Sequence, residues 1–319
     1  MLRCNLHETA RLIRNAEKIA ITAHTSPDPD ALGSVLALGK SLQTLGKSVT
    51  MVIDDNISES LMFMPNIEEI LRPEMLDNQR FDLLIVLDAS DIDRIGEVAT
   101  LTNAPILNID HHISNREFAD YLWLDVNAAA TAELIYQLLK ELKVELDLNI
   151  ATNLYTGIVT DCGFFQYANT TPQTMLSAAE LIKYGIKVNH ISDALEARSK
   201  ESIILLTKLL ETMEFYANDK IAVITLTKEL AEFDIDTEGF IKYPRYINGV
   251  EVAVFCKYTD EYTTRVSMRS KELDVSSVAL SFGGGGHRRA AGCTLHSDLN
   301  KTKQLIVQSL IKALNDEQH

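Results

Sequence analysis

The sequence predicts an α/β chain whose N-terminal part is a doubly wound, mainly parallel sheet and whose C-terminal part is a smaller α+β domain. Three observations carry that expectation. A length of 319 residues exceeds what one ordinary core uses, so two domains are expected. The short continuous apolar runs at 82–87 (DLLIVL) and 105–109 (PILNI) have the composition of strands covered on both faces. These runs sit in a strand–helix alternation that gives way to successive helical patterns from Thr131 and then to a second group of strands.

Taken in order, the N-terminal segment MLRCNLHETARLIRNAEK is polar and helical in pattern, with no apolar signal region, and the chain is expected to stay in the cytoplasm. An apolar run at 19–22, a long helix over 30–45 and a strand over 48–53 make a βαβ opening. Strands at 82–87, 105–109 and 121–124 follow, then helices at 131–142, 149–159, 172–184 and 199–215. The last of these is expected to bury Ile203, Leu206, Leu210 and Met213 and to bridge the domains. The division expected is 1–190, a connecting helix or linker at 191–215, and 216–319. Within the last part, strands are expected at 221–226, 250–257 and 262–268, and helices at 238–246, 275–282 and 300–314. There is no internal repeat, and the only low-complexity tract is the glycine run 283–286.

Composition narrows the function. No run of 18 apolar residues occurs, so no membrane span is expected. The four cysteines, Cys4, Cys162, Cys256 and Cys293, show no C-x-x-C spacing and read as reduced thiols. With 30 basic against 45 acidic residues the net charge is −15, the wrong sign for tracking long nucleic acid. A polyanionic substrate should be short.

Chemistry gathers at the ends of three expected strands. After the first comes His24-Thr-Ser-Pro-Asp28-Pro-Asp30. Alone, Asp30 reads as a helix N-cap, Asp28 as a partner of the helix dipole and His24 as a loop histidine. The next two strands end the same way, DLLIVL in Asp88 and PILNI in Asp110-His111-His112. In an open parallel sheet ligands bind beyond the carboxyl ends of the strands, so these groups share one edge. Thr160-Asp161-Cys162-Gly163 adds a carboxylate at a turn beside Phe164 and Phe165. Two divalent cations about 3.5 to 4 Å apart stabilise both oxygens of a phosphoryl displacement and generate hydroxide at neutral pH. Asp28, Asp30, Asp88 and Asp161 would cancel their charge. Mixed imidazole and carboxylate donors favour manganese, with magnesium second and zinc disfavoured.

These motifs resemble those of the DHH phosphoesterase superfamily: TAHTSPDPDALGS at 22–34, Asp88 in LDAS, DHH at 110–112 and TDCG at 160–163. The C-terminal half resembles the associated DHHA1 domain through VSMRS at 266–270 and FGGGGHRRAAG at 282–292. The resemblance implies that His24, Asp28 and Asp88 hold one metal and that Asp30, Asp88, His111 and Asp161 hold the other, Asp88 bridging. It places His112 near the substrate phosphate and makes Asp110 the residue that orients a histidine. It implies an active site in the cleft between the domains, with Arg269, Ser270, Gly283, Gly284, Gly285, Gly286 and His287 binding substrate. The stretch 242–289 has eight basic and five acidic residues, a local positive excess in an acidic chain.

Within the superfamily, the length and the GGGGH run resemble the NrnA-type bifunctional oligoribonucleases and 3′-phosphoadenosine 5′-phosphate phosphatases. That implies hydrolysis of very short RNAs, linear dinucleotides such as pApA or pGpG, and adenosine bisphosphate, with no binding of long duplexes. A homodimer is compatible with the reading. The rival enzymes are a manganese-dependent inorganic pyrophosphatase, whose second domain lacks the glycine motif, and a cyclic-dinucleotide phosphodiesterase. A nucleotide-binding regulatory protein is the non-enzymatic rival.

Overall fold

The computed structural model describes residues 1–76, 79–237 and 239–316, and at His287 the backbone alone. It divides into two compact units, Met1–Ala197 and Arg198–His319. The segment expected as a connector, 191–215, is shared between them, its beginning closing the first unit and the rest opening the second.

In the first unit the chain runs β1 (Leu2–Arg3), α1 (Leu6–Asn15), β2 (Lys18–Thr22), α2 (Pro29–Thr44), β3 (Ser48–Met51), β4 (Leu83–Leu87), β5 (Ile106–Asp110) and β6 (Tyr121–Leu124). Helices α3 (Thr131–Leu142), α4 (Leu148–Asp161), α5 (Pro172–Ile182) and α6 (Val188–Glu196) complete it; α6 had no counterpart in the expected elements. The sheet order is β1-β6-β5-β4-β2-β3 and every pair is parallel. Because β3 leaves β2 on one side and β4 returns on the other, the order reverses between β2 and β4, the place where such sheets bind ligands. Alternate residues face opposite layers. Ile19, Ile21, Ile85, Leu107 and Ile109 pack with the helices, whereas Ala20, Leu84 and Val86 meet the short turns of Ile92–Thr100.

In the second unit α7 (Lys200–Glu211) is followed by β7 (Glu214–Tyr216), β8 (Ile221–Leu226), α8 (Lys228–Ala231), α9 (Lys242–Tyr246), β9 (Val252–Asp260), β10 (Thr263–Ser270), α10 (Val275–Ser281), β11 (Gly285–His287), β12 (Ala290–Leu295) and α11 (Leu299–Asp316). The mixed sheet has the order β11-β12-β10-β9-β8-β7. Helix α7 is shorter than expected, since the chain turns at Thr212 and Phe215 lies in a strand. Its buried apolar residues are Leu205, Leu206 and Leu209, packed on Ile224, Phe240 and Phe255, while Ile203 is exposed. A stretch with apolar residues at 203–206 and 209–210 offers two overlapping faces, and the contacts of β8 and β9 choose between them. Helix α9 begins at Lys242, and Glu238, where a helix was expected to start, lies outside the described residues. The glycine run, for which no strand was expected, enters the edge strand β11.

Candidate metal centre

Parallel pairing aligns Thr22 with Val86 and Leu87 with Ile109, so the chain leaves β2, β4 and β5 at one edge. Each exit is fixed locally. After β2, Asp28 caps α2, its Oδ1 accepting the amides of Asp30 and Ala31 at 3.0 and 2.9 Å, with Pro29 as first helical residue. The cap is thus Asp28, not Asp30 as the isolated motif suggests, and Oδ2 of Asp28 lies 3.7 Å from His24 Nε2. Asp88 takes a left-handed backbone, φ 56°, immediately after β4. Asp tolerates that conformation better than most residues, and the turn sends its side chain inward, where it is 3% exposed.

The two carboxylate oxygens of Asp88 face different histidines. Oδ2 lies 3.5 Å from His24 Nε2 and Oδ1 lies 3.5 Å from His111 Nε2. His111 Nε2 is also 3.4 Å from Asp161 Oδ2. Both imidazoles donate from Nδ1 to backbone carbonyls, His24 to Thr25 at 2.7 Å and His111 to Ala128 at 3.2 Å, which turns Nε2 of each toward the carboxylates. Asp161 is the last residue of α4 rather than part of the turn, because the helix continues two residues past Val159. Left-handed residues 163–165 then reverse the chain and set Phe164 and Phe165 against the core.

Asp30 is 1% exposed and accepts the amides of Thr131 and Ala132 at 2.7 and 2.8 Å, so it caps α3 from another helix. This close approach needs Gly157 on α4, where a Cβ would come within 2.8 Å of both Asp30 Oδ1 and Ala132 Cβ. His112 is held differently. Its Nδ1 meets Asp110 Oδ1 at 2.7 Å, and Asn115 ties the other Asp110 oxygen at 2.6 Å.

The electrostatics follow from crowding. Burial, reinforced by the Asp88, Asp161 and Asp28 charges, pushes the Asp30 carboxyl well up. Burial likewise raises Asp161 to about 6, the nearby His111 opposing and Asp88 adding to the rise. Burial alone would lower His24, but the Asp28 and Asp88 carboxylates beside it overcome that and push the imidazole up to about 10. The same balance, dominated after burial by Asp110, raises His112 to about 9. A cluster in which carboxyl groups are pushed up by burial and by one another's charge, and imidazoles by those same carboxylates, is one that added positive charge would relieve.

Three sets of donor atoms lie within 4.8 Å of one another and are able to hold a metal: His24, Asp28 and Asp88; Asp30, His111 and Asp161; and Asp88, His111 and His112. Every ligand expected from the sequence is in at least one set. Residues that the motifs did not point to also build the site. Thr131 donates from Oγ1 to Asp88 Oδ1 at 3.0 Å, and Asn108, buried inside β5, links Asn115 to the carbonyls of Val86 and Ala89. The one local signal was a polar Asn in an otherwise apolar strand.

The expected substrate residues lie in the second unit. Ser270 ends β10, buried, with its hydroxyl donating to the Leu273 carbonyl at 2.5 Å. Arg269 is half-buried and donates to the Met268 carbonyl at 3.0 Å. Gly283 and Gly286 have positive φ, and a Cβ on Gly284 would overlap the Gly292 carbonyl and Cys293. At Gly285 a Cβ would meet no atom within 4 Å. All four cysteines are buried and free, and no helix among the described residues is long and apolar enough to cross a membrane.

Comparison with known proteins agrees with the geometry. Residues 18–158 match the DHH family, N-terminal domain, and residues 218–316 match the DHHA1 domain. A protein of Thermus thermophilus named bifunctional oligoribonuclease and PAP phosphatase NrnA is 35% identical over 93% of this chain and 90% of its own length. The Bacillus subtilis protein of the same name is 28% identical over 91% of this chain and 93% of its own. The crystal structure of an exopolyphosphatase-related protein from Bacteroides fragilis superposes with a TM-score of 0.90 at 26% identity, covering 96% of this chain and 95% of that one. With both domains present in order and a relative this similar along nearly the whole chain, the protein belongs to the DHH/DHHA1 phosphoesterase superfamily.

Proposed function

We propose that the protein is a two-metal phosphoesterase that hydrolyses very short oligoribonucleotides and linear dinucleotides to mononucleotides, and 3′-phosphoadenosine 5′-phosphate to AMP. The observation that carries this reading is the carboxylate of Asp88, with one oxygen toward His24 and the other toward His111. The donor set fits a metal pair: imidazole Nε2 atoms aimed at the cluster, four carboxylates to balance four positive charges, and fixed ring orientations. His24, Asp28 and Asp88 would hold one ion, and Asp30, Asp88, His111 and Asp161 the other. Bound there, the ions supply Lewis acidity and a hydroxide nucleophile at neutral pH.

The chain's own residues do the rest. His112, oriented by Asp110 and carrying positive charge, is suited to donate to a phosphate oxygen. Within the glycine run, Gly285 is the one that neither positive φ nor internal packing requires, which suits close backbone approach to a nucleotide, with His287 later in β11 and Arg269 on β10, across β12 from it. Ser270 would serve there through its backbone and its hold on Leu273. The acidic surface agrees with short substrates. The names of the relatives point to the same activities.

The test is hydrolysis by chelated, metal-reconstituted protein of adenosine bisphosphate, pApA, a pentanucleotide RNA, cyclic di-AMP and pyrophosphate. Turnover of the first three, with manganese exceeding magnesium at equal low concentration, is expected. Pyrophosphate or cyclic di-AMP as the best substrate would replace this reading with one of the rivals.

A further inference from the structure

The two imidazoles that face the carboxylate cluster are held from behind in the same way. The Thr25 carbonyl that accepts from His24 Nδ1 belongs to the same peptide group as the Ser26 amide, and that amide donates to Asp55 Oδ2 at 2.7 Å. The Ala128 carbonyl that accepts from His111 Nδ1 belongs to the same peptide group as the Ala129 amide, which donates to Glu133 Oε2 at 3.2 Å. In a trans peptide the C=O and N–H point in opposite directions, so one planar group stands between each imidazole and a carboxylate. At His112 there is no intermediary, because Asp110 meets Nδ1 directly.

The geometry points to Asp55 and Glu133 as positioning residues for His24 and His111, each acting through a single peptide group. The metal readout of this inference rests on the function proposed above, but neither carboxylate belongs to any of the donor sets of the metal centre. A carboxylate accepting the amide N–H polarises the peptide and makes its carbonyl oxygen a stronger acceptor. A stronger acceptor behind Nδ1–H fixes the tautomer and ring plane and raises the basicity of Nε2, the work that carboxylates bonded to metal-binding histidines usually do directly.

Both carboxylates are themselves anchored. Glu133, in the first turn of α3 and 2% exposed, also accepts from Thr174 Oγ1 at 3.0 Å, and Thr174 is locked in a capping box with Thr171 at the start of α5. Asp55, in the loop after β3, accepts a second bond from Ser26 Oγ at 3.2 Å. Ser26 adopts φ 52°, a left-handed conformation that a serine rarely takes unless its surroundings hold it there. The buried relay should act more strongly than the half-exposed one, since less solvent screens it.

The experiment is calorimetric titration of the metal-free protein with Mn²⁺ for wild type, Asp55→Asn, Glu133→Gln and the double variant. Asn and Gln keep an acceptor oxygen and remove the charge. Asp55→Asn should weaken one of two binding events and Glu133→Gln the other, each about 10- to 100-fold, and the double variant should show both losses. Alongside, heteronuclear NMR of histidine-labelled metal-free protein should show faster solvent exchange of Nδ1–H at His24 only in Asp55→Asn and at His111 only in Glu133→Gln. Equal weakening of both events with faster exchange at both histidines would mark general loosening and overturn the inference. So would affinities and exchange rates within about twofold of wild type. Should Glu133→Gln not fold, the half-exposed Asp55→Asn decides the matter for its own relay. If wild type takes up no Mn²⁺, the metal-centre reading falls, and the exchange pattern still judges the relays.

Discussion

The carboxyl edge of the first sheet and the glycine edge of the second differ in what holds their atoms in place. At the first edge nearly every polar atom is tied by a neighbour: Asp28 to the amides of α2, Asp30 to those of α3, Asp88 to Thr131, Asp110 to Asn115. At the second edge the run 283–286 that leads into β11 offers four glycines, three of them explained by φ or by packing against β12 and one, Gly285, open. Side chains set the chemistry of the first edge, and the lack of a side chain shapes the second. Substitutions should therefore fail in opposite ways at the two edges, through charge and coordination at one and through steric fit at the other.

The largest effect is expected at Asp88. Asp88→Ala removes both oxygens that separate His24 from His111, and hydrolysis of every substrate should fall by about a thousandfold or more, equivalent to several kcal/mol of transition-state stabilisation. Activity above a tenth of wild type in a folded protein would make the comparison between the edges meaningless, because the first edge would not be the chemical one.

His111→Ala and His112→Ala sharpen the first edge internally. His111 faces Asp88 and Asp161 through Nε2, whereas His112 spends Nδ1 on Asp110. Metal analysis should find one equivalent lost in the first variant and near-wild-type content in the second, while both lose activity by about 10- to 100-fold or more. The reverse pattern of metal loss would exchange the roles of the two histidines.

Gly284→Val and Gly285→Val probe the second edge. The first substitution collides with the Gly292 carbonyl and should destabilise the hairpin by about 1–3 kcal/mol, seen as a lower melting temperature. The second projects into open space and should leave melting nearly unchanged while costing pApA and adenosine bisphosphate, but not a small nitrophenyl ester. Equal loss on both kinds of substrate by Gly285→Val would make this edge structural.

A further expected effect is thermal. Because Asp30 and Asp161 are pushed up by burial among like charges, a divalent cation should stabilise the fold, by about 2.7 kcal/mol at a hundredfold excess over its dissociation constant. The gain in melting temperature should vanish in Asp88→Ala and survive in Gly284→Val, which separates the two edges by a measurement that needs no substrate.

Much of the first edge was readable from the chain alone. Apolar runs identified β2, β4 and β5, and parallel strands put their carboxyl ends together, so a residue that follows each run is brought to the others whatever the loops do. Less was readable at the second edge, where β11 is two glycines and a histidine with no apolar period, and β12 buries only the small Ala291 and Cys293 before Leu295, so their pairing is set by the register against β10.

The sequence by itself thus determined which groups gather, because strand ends and helix starts are local events written in apolar period and capping residues. Only the tertiary structure decided what each group does there. Asp28 rather than Asp30 caps α2, Asp30 instead receives the amides of a helix a hundred residues on, and Asp55 and Glu133 stand behind the two histidines through peptide groups. These bonds join residues distant in the chain, and their partners are backbone amides and carbonyls, which every residue carries and no motif can mark.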